Sequence, residues 1–528
     1  MGGQDSALAR GDAHGAPQCG DAQVAPHGGD AYVAPQSGDA GAEPRGLFRA
    51  VVPPIALPVF LATADGTAVA TALPSIGAAF GEVEALQWII VANLIAGTVA
   101  APIYGRLGDQ LGRKPLMLVS LGVFIGASLL CAVAPGIVWL IAARVLQGVG
   151  GGGLITLSQA LLGQSVPARL LGRYQGYFAA FIVAGSSFGP VAGGVLTQWF
   201  GWQAVFLANV PLGLAAALLV LRAPASPPRQ GRISVDIAGI VLLSLLVVPM
   251  LLALWRIRVL DAADAPVIAG LLALAVVSAP ALNWQQRRSA APLLAMNLLR
   301  EPAIWRANVM SACSGASLVA MMTFLPIYFQ VVTGATPAQS GFLLLPLTAG
   351  VSLGSVMTGW MVSRTSRTAV FPGCGLLVTG ATLIALCLWA PRMDLVTMSV
   401  LLALGGLCQG TSMLVAQVTS QVVAGPGRLG VAAGAIQLAR ALGSAFGVAL
   451  AGAVLFAGLA LRDRATATLF AELVRHGPRL LATLPPDRQA LVQGEIARAF
   501  GGVFLTVACF SFIIVVMAWT QPVRRLGP

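Results

Sequence analysis

Residues 87–134 read QWIIVANLIAGTVAAPIYGRLGDQLGRKPLMLVSLGVFIGASLLCAVA. Two apolar stretches, 87–105 and 115–134, flank a short hydrophilic turn that carries Arg106, Asp109, Arg113 and Lys114. A helix needs about 20 residues to cross about 30 Å of hydrocarbon, and each stretch has that length. Neither alternates apolar with polar at period two, as a barrel strand would. The segment therefore predicts two membrane helices joined by a basic turn.

Working outward, the same reading recurs along the chain. Spans are expected near 50–73, 87–105, 115–134, 137–158, 174–197, 203–221, 235–254, 266–284, 304–328, 338–361, 370–390, 396–423, 431–460 and 500–520, fourteen in all. Composition agrees: 57% of the 528 residues are hydrophobic and 9% charged, against about 25% charged in soluble domains. With the N-terminus placed in the cytoplasm, sixteen Lys and Arg residues fall in cytoplasmic connections and the C-terminal tail. Three, Arg256, Arg258 and Arg392, fall in short outer loops. That asymmetry is the positive-inside bias. The net charge of +12 is thus assigned to topology and to anionic lipid headgroups, with no nucleic-acid partner.

The first 48 residues differ. From Gly11 they repeat a nine-residue unit (GDAHGAPQC, GDAQVAPHG, GDAYVAPQS, GDAGAEPRG) too polar and Pro/Gly-rich to bury a core. A disordered cytoplasmic tail is expected there, and no apolar run near the start suggests a signal peptide. Segment 461–499 is expected as an outer loop. Its piece Asp487–Phe500, after Pro485-Pro486, reads as a short amphipathic helix or, in the plainer reading, a solvated hairpin. None of the seven cysteines forms a CxxC pair, and the three histidines (His14, His27 and His476) lie outside the spans. No disulfide, metal site or cofactor is expected.

Of nineteen acidic residues, six lie in the tail, twelve in loops or at span ends, and Asp65 alone lies within an apolar span. A charge at mid-membrane costs about 2.5–3.5 kcal/mol on insertion scales, so such a residue reads as functional. A buried carboxyl is suited to gaining and losing a proton. Asp65 is therefore the candidate proton-coupling group, and a structural carboxylate paired to an arginine is the plainer alternative. The deep cations are Arg144 and Arg440; Arg144 is the candidate partner of Asp65. No GxxxxGK[ST] phosphate loop, catalytic triad or metal cluster is present, which argues against an ATP-driven pump or an enzyme.

Several motifs resemble the major facilitator superfamily. Gly105-Arg-Leu-Gly-Asp-Gln-Leu-Gly-Arg-Lys114 resembles its GxLaDrxGrk loop, Arg144-Val-Leu-Gln-Gly148 its RxxQG motif, and Gly185-Ser-Ser-Phe-Gly-Pro-Val-Ala-Gly-Gly194 the GxxxGPxxGG pattern of its antiporters. Asp65–Pro74, Gly201–Gly213, Asp236–Gly239, Leu325–Gln330 and Ala439–Gly443 are similar to segments of the fourteen-span drug:proton antiporters, the EmrB/QacA type. The likeness spans about residues 50–520. It implies a major facilitator fold: a six-helix bundle over 49–222, linkers and two inserted helices over 223–302, a second bundle over 303–521 and a cytoplasmic tail over 522–528. It further implies a conformational latch at Gly105, Gly108, Asp109, Gly112, Arg113 and Lys114, and an antiporter face at Gly185, Gly189, Pro190, Gly193 and Gly194. A midplane cavity between the bundles is expected, with Asn93, Gln147, Phe324, Tyr328 and Arg440 as lining candidates.

The sequence departs from that pattern at Ala70, Asn93 and Gln203, and at Ser363, which stands where a second latch would have its aspartate. The expected function is proton-driven export of small lipophilic or cationic compounds by a monomer in a bacterial inner membrane. A dedicated metabolite or antibiotic exporter is the alternative, and an uptake symporter the rival that the Gly185–Gly194 motif opposes. The sequence leaves open whether a periplasmic adaptor joins it.

Overall fold

The computed structural model describes residues 46–81, 85–223, 235–257, 264–289, 292–476 and 485–523. The repeats of the tail up to residue 45, most of the first linker (224–234) and the last five residues lie outside the described residues. Gly46–Pro528 forms one compact unit.

The helices are α1 (Leu47–Phe80), α2 (Leu86–Leu111), α3 (Arg113–Ala132), α4 (Ile137–Ser165), α5 (Ala168–Phe200), α6 (Gln203–Leu207) and α7 (Asn209–Arg222) in the first half. The insert contributes α8 (Ile237–Ile257), α9 (Ala265–Arg288) and the short α10 (Met296–Leu299). The second half holds α11 (Pro302–Val331), α12 (Pro337–Thr365), α13 (Val370–Trp389), α14 (Leu395–Ala424), α15 (Leu429–Ala460), α16 (Arg464–His476) and α17 (Pro486–Trp519). Fourteen of these segments are long and apolar enough to cross a membrane, with α6 and α7 together making the sixth. Most run beyond the expected spans at one or both ends, because a helix keeps satisfying its own backbone after leaving the hydrocarbon.

Helix α1 contains Pro53, Pro54, Pro58 and Pro74 yet stays continuous. Along it Thr63 Oγ1 donates back to the Val59 carbonyl at 2.8 Å and Thr71 Oγ1 to that of Ala68 at 2.7 Å, so both hydroxyls are satisfied within the helix. The same threonines form the surface on which α5 packs. A Cβ placed on Gly185, Gly189 or Gly193 would fall inside contact distance of Thr63, Thr67 and Thr71 Oγ1 respectively, whereas Gly194 faces open space. The repeated glycines thus permit a close backbone approach that larger residues forbid. Gly189→Val is expected to destabilise the protein by about 1–3 kcal/mol through overpacking. Gly194→Ala should leave its melting temperature in detergent within a degree or two of the parent.

The segment before the last span differs from expectation. Asp487–Phe500 is neither a hairpin nor a separate helix. It is the first part of α17, which continues without a break into the membrane span. Pro486 stands at the first helical position, which favours initiation there, and no proline follows until Pro522. Val492, Ile496 and Phe500 are buried with Phe470 and Leu473 of α16, so this region is packed rather than solvated. Asp463 starts α16 by accepting from Thr466 Oγ1 and from the Ala465 and Thr466 amides. These donors, the Thr466 hydroxyl foremost, hold its carboxyl below the usual carboxylate range.

Candidate functional site

A cavity of about 540 Å³ lies between the two halves, within the usual range for small-molecule sites. Its wall takes Asp65 from α1, Asn93 and Ile95 from α2, Ile155 from α4, Ser186 from α5, Leu318 from α11, and Gln437 and Arg440 from α15. Most of the lining is aliphatic or small. Arg440 lines the cavity and, among the described residues, its guanidinium has no hydrogen-bond or ion-pair partner.

Asp65, 3% exposed, sits at the edge of this cavity and is held from behind. Arg144 Nη1 donates to its Oδ2 at 2.7 Å. Gln147 Nε2 and Asn209 Nδ2 donate to its Oδ1 at 3.0 and 2.7 Å. The network extends further, with Arg144 Nη1 on Gln147 Oε1 at 2.6 Å, Arg144 Nε on the Ile89 carbonyl at 3.1 Å, and Gln147 Nε2 on Ser128 Oγ at 2.8 Å. Arg144 Nη2 is buried without an acceptor, and the Phe206 ring lies 5.8 Å from the guanidinium carbon. Arg144 is fully buried. A carboxylate and a guanidinium together, with four neutral side chains around them, form a neutral unit that low-dielectric surroundings tolerate far better than either charge alone. Protonating Asp65 breaks that neutrality.

Local sequence explains the positions. RxxQG puts Arg144 and Gln147 one turn apart on α4, so both reach α1. Gly148 and Gly152 let α4 close on α2, where a Cβ would strike the backbone of Asn93 and Gly97. Asn209 reaches Asp65 from the start of α7, its Nδ2 2.7 Å from Oδ1. It belongs to the quoted Gly201–Gly213 motif, but no sequence signal marked it as a carboxylate partner; an asparagine in an apolar run was the available hint.

Of the lining candidates, Asn93 and Arg440 border the cavity. Gln147 lies behind Asp65 rather than on the wall. Tyr328 and Phe324 do not line it. Tyr328 is fully buried among Phe329, Phe500 and Phe504, with ring centroids 5.3–6.1 Å away. Phe324 is buried in the same cluster.

The latch residues lie at the end of the molecule where α2 and α3 meet. Asp109 crosses to the other half: its Oδ1 and Oδ2 accept from the Gly430 and Val431 amides of α15 at 2.9 and 3.0 Å. Those are first-turn N–H groups that a helix leaves unsatisfied, and a carboxylate there meets the positive end of the dipole. Arg113 donates to Asp109 at 2.8 Å, to Gln164 at 2.5 Å and to the Pro426 carbonyl at 3.0 Å. Gly105 and Gly430 touch backbone to backbone, and Gly108 makes room for Leu157. Gly112 turns the chain with a positive φ of 92°. Lys114 stays within its own half, donating to the Leu221 and Ala223 carbonyls at 2.9 and 2.6 Å. Gln421 accepts from Gln175 at 3.1 Å and donates to the Gln159 carbonyl at 3.1 Å, adding inter-half bonds at this same end. In the second half Ser363 bonds its own helix, to the Trp360 carbonyl, so no carboxylate repeats the Asp109 contact there, although Gly172 and Gly359 meet backbone to backbone as Gly105 and Gly430 do.

Comparison with known proteins agrees with this architecture. The Major Facilitator Superfamily model matches residues 55–448. The chain is 30% identical over 398 residues to multidrug transporter protein MdtP of Bacillus subtilis, covering 75% of this chain and 73% of that one. It is 30% identical over 491 residues to multidrug resistance protein fnx1 of Schizosaccharomyces pombe, covering 88% and 90%. Among solved structures, the human organic anion transporter MFSD10 superposes with a TM-score of 0.61 at 15% identity, covering 90% of this chain and all of that one. The proton:xylose symporter XylE does so with a TM-score of 0.58 at 14%, covering 90% and 96%. With two helical halves around a shared cavity, a latch across one end and a family match over most of its length, this chain is a multi-pass membrane transporter of the major facilitator superfamily.

Proposed function

We propose that the protein is a proton-coupled antiporter that exports small lipophilic compounds across a bacterial cytoplasmic membrane, with the latch end and both termini on the cytoplasmic side. The observation that carries the reading is the placement of Asp65. It is the acid inside the spans, it borders the cavity, and its charge is balanced by Arg144 behind it. With the latch engaged, the cavity is closed toward the cytoplasm, and this is the outward-facing state. A proton arriving from outside neutralises Asp65, weakens its hold on Arg144, Gln147 and Asn209, and lets α1 shift against α4. The latch opens, the proton leaves to the cytoplasm, substrate enters, and the halves rock back.

The cavity suits uncharged lipophiles better than permanent cations, since Arg440 adds positive charge to the wall while Asp65, the acid in its described lining, is already balanced by Arg144. The efflux-type names of relatives at about 30% identity support export as the direction. The test is transport in inverted membrane vesicles with an acid lumen, against a panel of neutral and cationic lipophilic dyes. Antiport fills the lumen with dye, and collapse of the gradient empties it. Dye expelled from the acid lumen would show symport and overturn the proposal.

A further inference from the structure

The two inserted helices have no counterpart in the paired six-helix halves, and a spacer needs only to be apolar. The structure gives α8 more than that. It lies across the seam between α2 of the first half and α15 of the second, where its Leu243, Val247 and Leu251 are buried with Ile95 and Leu438. Near its far end Leu251, Leu254 and Trp255 border the central cavity, in the same wall as Asp65 and Arg440. Trp255 is half-buried and packs against Trp88 at the start of α2, ring centroids 5.3 Å apart and planes tilted by 47°. Among the described residues Phe124 is the other aromatic side chain on that wall, and it is 1% exposed, wedged under the glycines of α4. Trp255 is therefore the aromatic surface the cavity offers to a guest.

We infer that α8 is part of the substrate-binding wall and that Trp255 receives a planar aromatic portion of the transported compound, an inference that rests on the transport reading above. An indole braced by a second indole is held in place at little further entropic cost. Ring-on-ring contact in offset or edge geometry adds favourable energy beyond area burial, which aliphatic walls such as Leu254 and Leu318 do not supply. The preferred substrates are then uncharged lipophiles built on a fused or conjugated ring. Because α8 belongs to neither bundle and, among the described residues, makes no hydrogen bond or ion pair with Asp65 or Asp109, Trp255 sets which compounds bind without setting how the cycle runs.

The experiment compares two uncharged probes of similar size in acid-lumen vesicles, a planar polycyclic dye and a saturated lipophile. Trp255→Ala should raise the KM for the planar dye about tenfold with kcat retained, the signature of lost uniform binding. The KM for the saturated probe should stay within about twofold, and Trp255→Phe should recover most of the difference. If Trp255→Ala raises both KM values equally, or neither, the assignment of α8 is wrong. If the parent protein moves neither probe in response to the gradient while being folded and inserted, the transport reading fails and takes this inference with it.

Discussion

Asp65→Asn is expected to abolish pH-gradient-driven transport while leaving the protein folded, the largest functional loss from any single substitution in the chain. Asparagine keeps the size of the side chain and one acceptor oxygen for Arg144, so the local packing survives. It removes the negative charge, and Arg144, fully buried, is left with no countercharge. Stranding one member of a buried pair costs about 3–5 kcal/mol when the partner is simply deleted, which is the expectation for Asp65→Ala. The asparagine variant should lose less. A structural carboxylate and a coupling carboxylate are separated by the double variant Asp65→Asn, Arg144→Gln. Removing both charges together restores neutrality, so its thermal stability should return toward that of the parent. If Asp65 were only structural, transport would return with it. The expected result is a stable protein that equilibrates substrate downhill but ignores the pH gradient. Gradient-driven accumulation by any variant with asparagine at position 65 would sink the coupling role.

Much of this was legible because membranes impose a simple physical code. Fourteen spans follow from hydropathy alone, since every stretch that crosses hydrocarbon must be apolar and helical. Asp65 stood out for the same reason: an isolated acid in an apolar run has no cheap explanation. What hydropathy cannot distinguish is an apolar face turned to lipid from one turned to a neighbour or a cavity. Tyr328 and Trp255 both sit near the ends of apolar helices, yet the first is sealed among phenylalanines and the second lines the cavity. The continuous α17 was obscured by its charged first turns, which resemble a loop until the buried face formed by Val492, Ile496 and Phe500 is seen against α16. Asn209 was hidden because hydropathy shows only one polar residue in an apolar run, and not that the fold turns it toward α1 and Asp65.

Asp109→Asn should shift the resting protein from closed to open at the latch end, and the size of the shift follows from what Asp109 touches. Its two oxygens each accept an amide of α15 in the opposite half, and it anchors Arg113, which reaches Pro426 beyond it. Hydrogen bonds to charged groups contribute about 1.5–3 kcal/mol each. Losing the charge while retaining one weaker acceptor removes roughly 3 kcal/mol from the closed state alone, a change of about a hundredfold in the equilibrium. Ala433 reports the outcome: it is 2% exposed, packed with Ala160 of the first half, and Ala433→Cys adds one small atom. In that background, Asp109→Asn should make position 433 reactive to a membrane-impermeant maleimide added on the side of the latch end. The reference is a protein with the same native cysteines and Asp109 intact. Lys114→Met is the decisive contrast. Lys114 caps carbonyls of α7 within its own half, so its loss should cost some stability and leave position 433 protected. Labelling that rises equally in both variants would mean the basic loop acts through bulk charge, and the specific bond between Asp109 and the start of α15 would not be what holds the halves together.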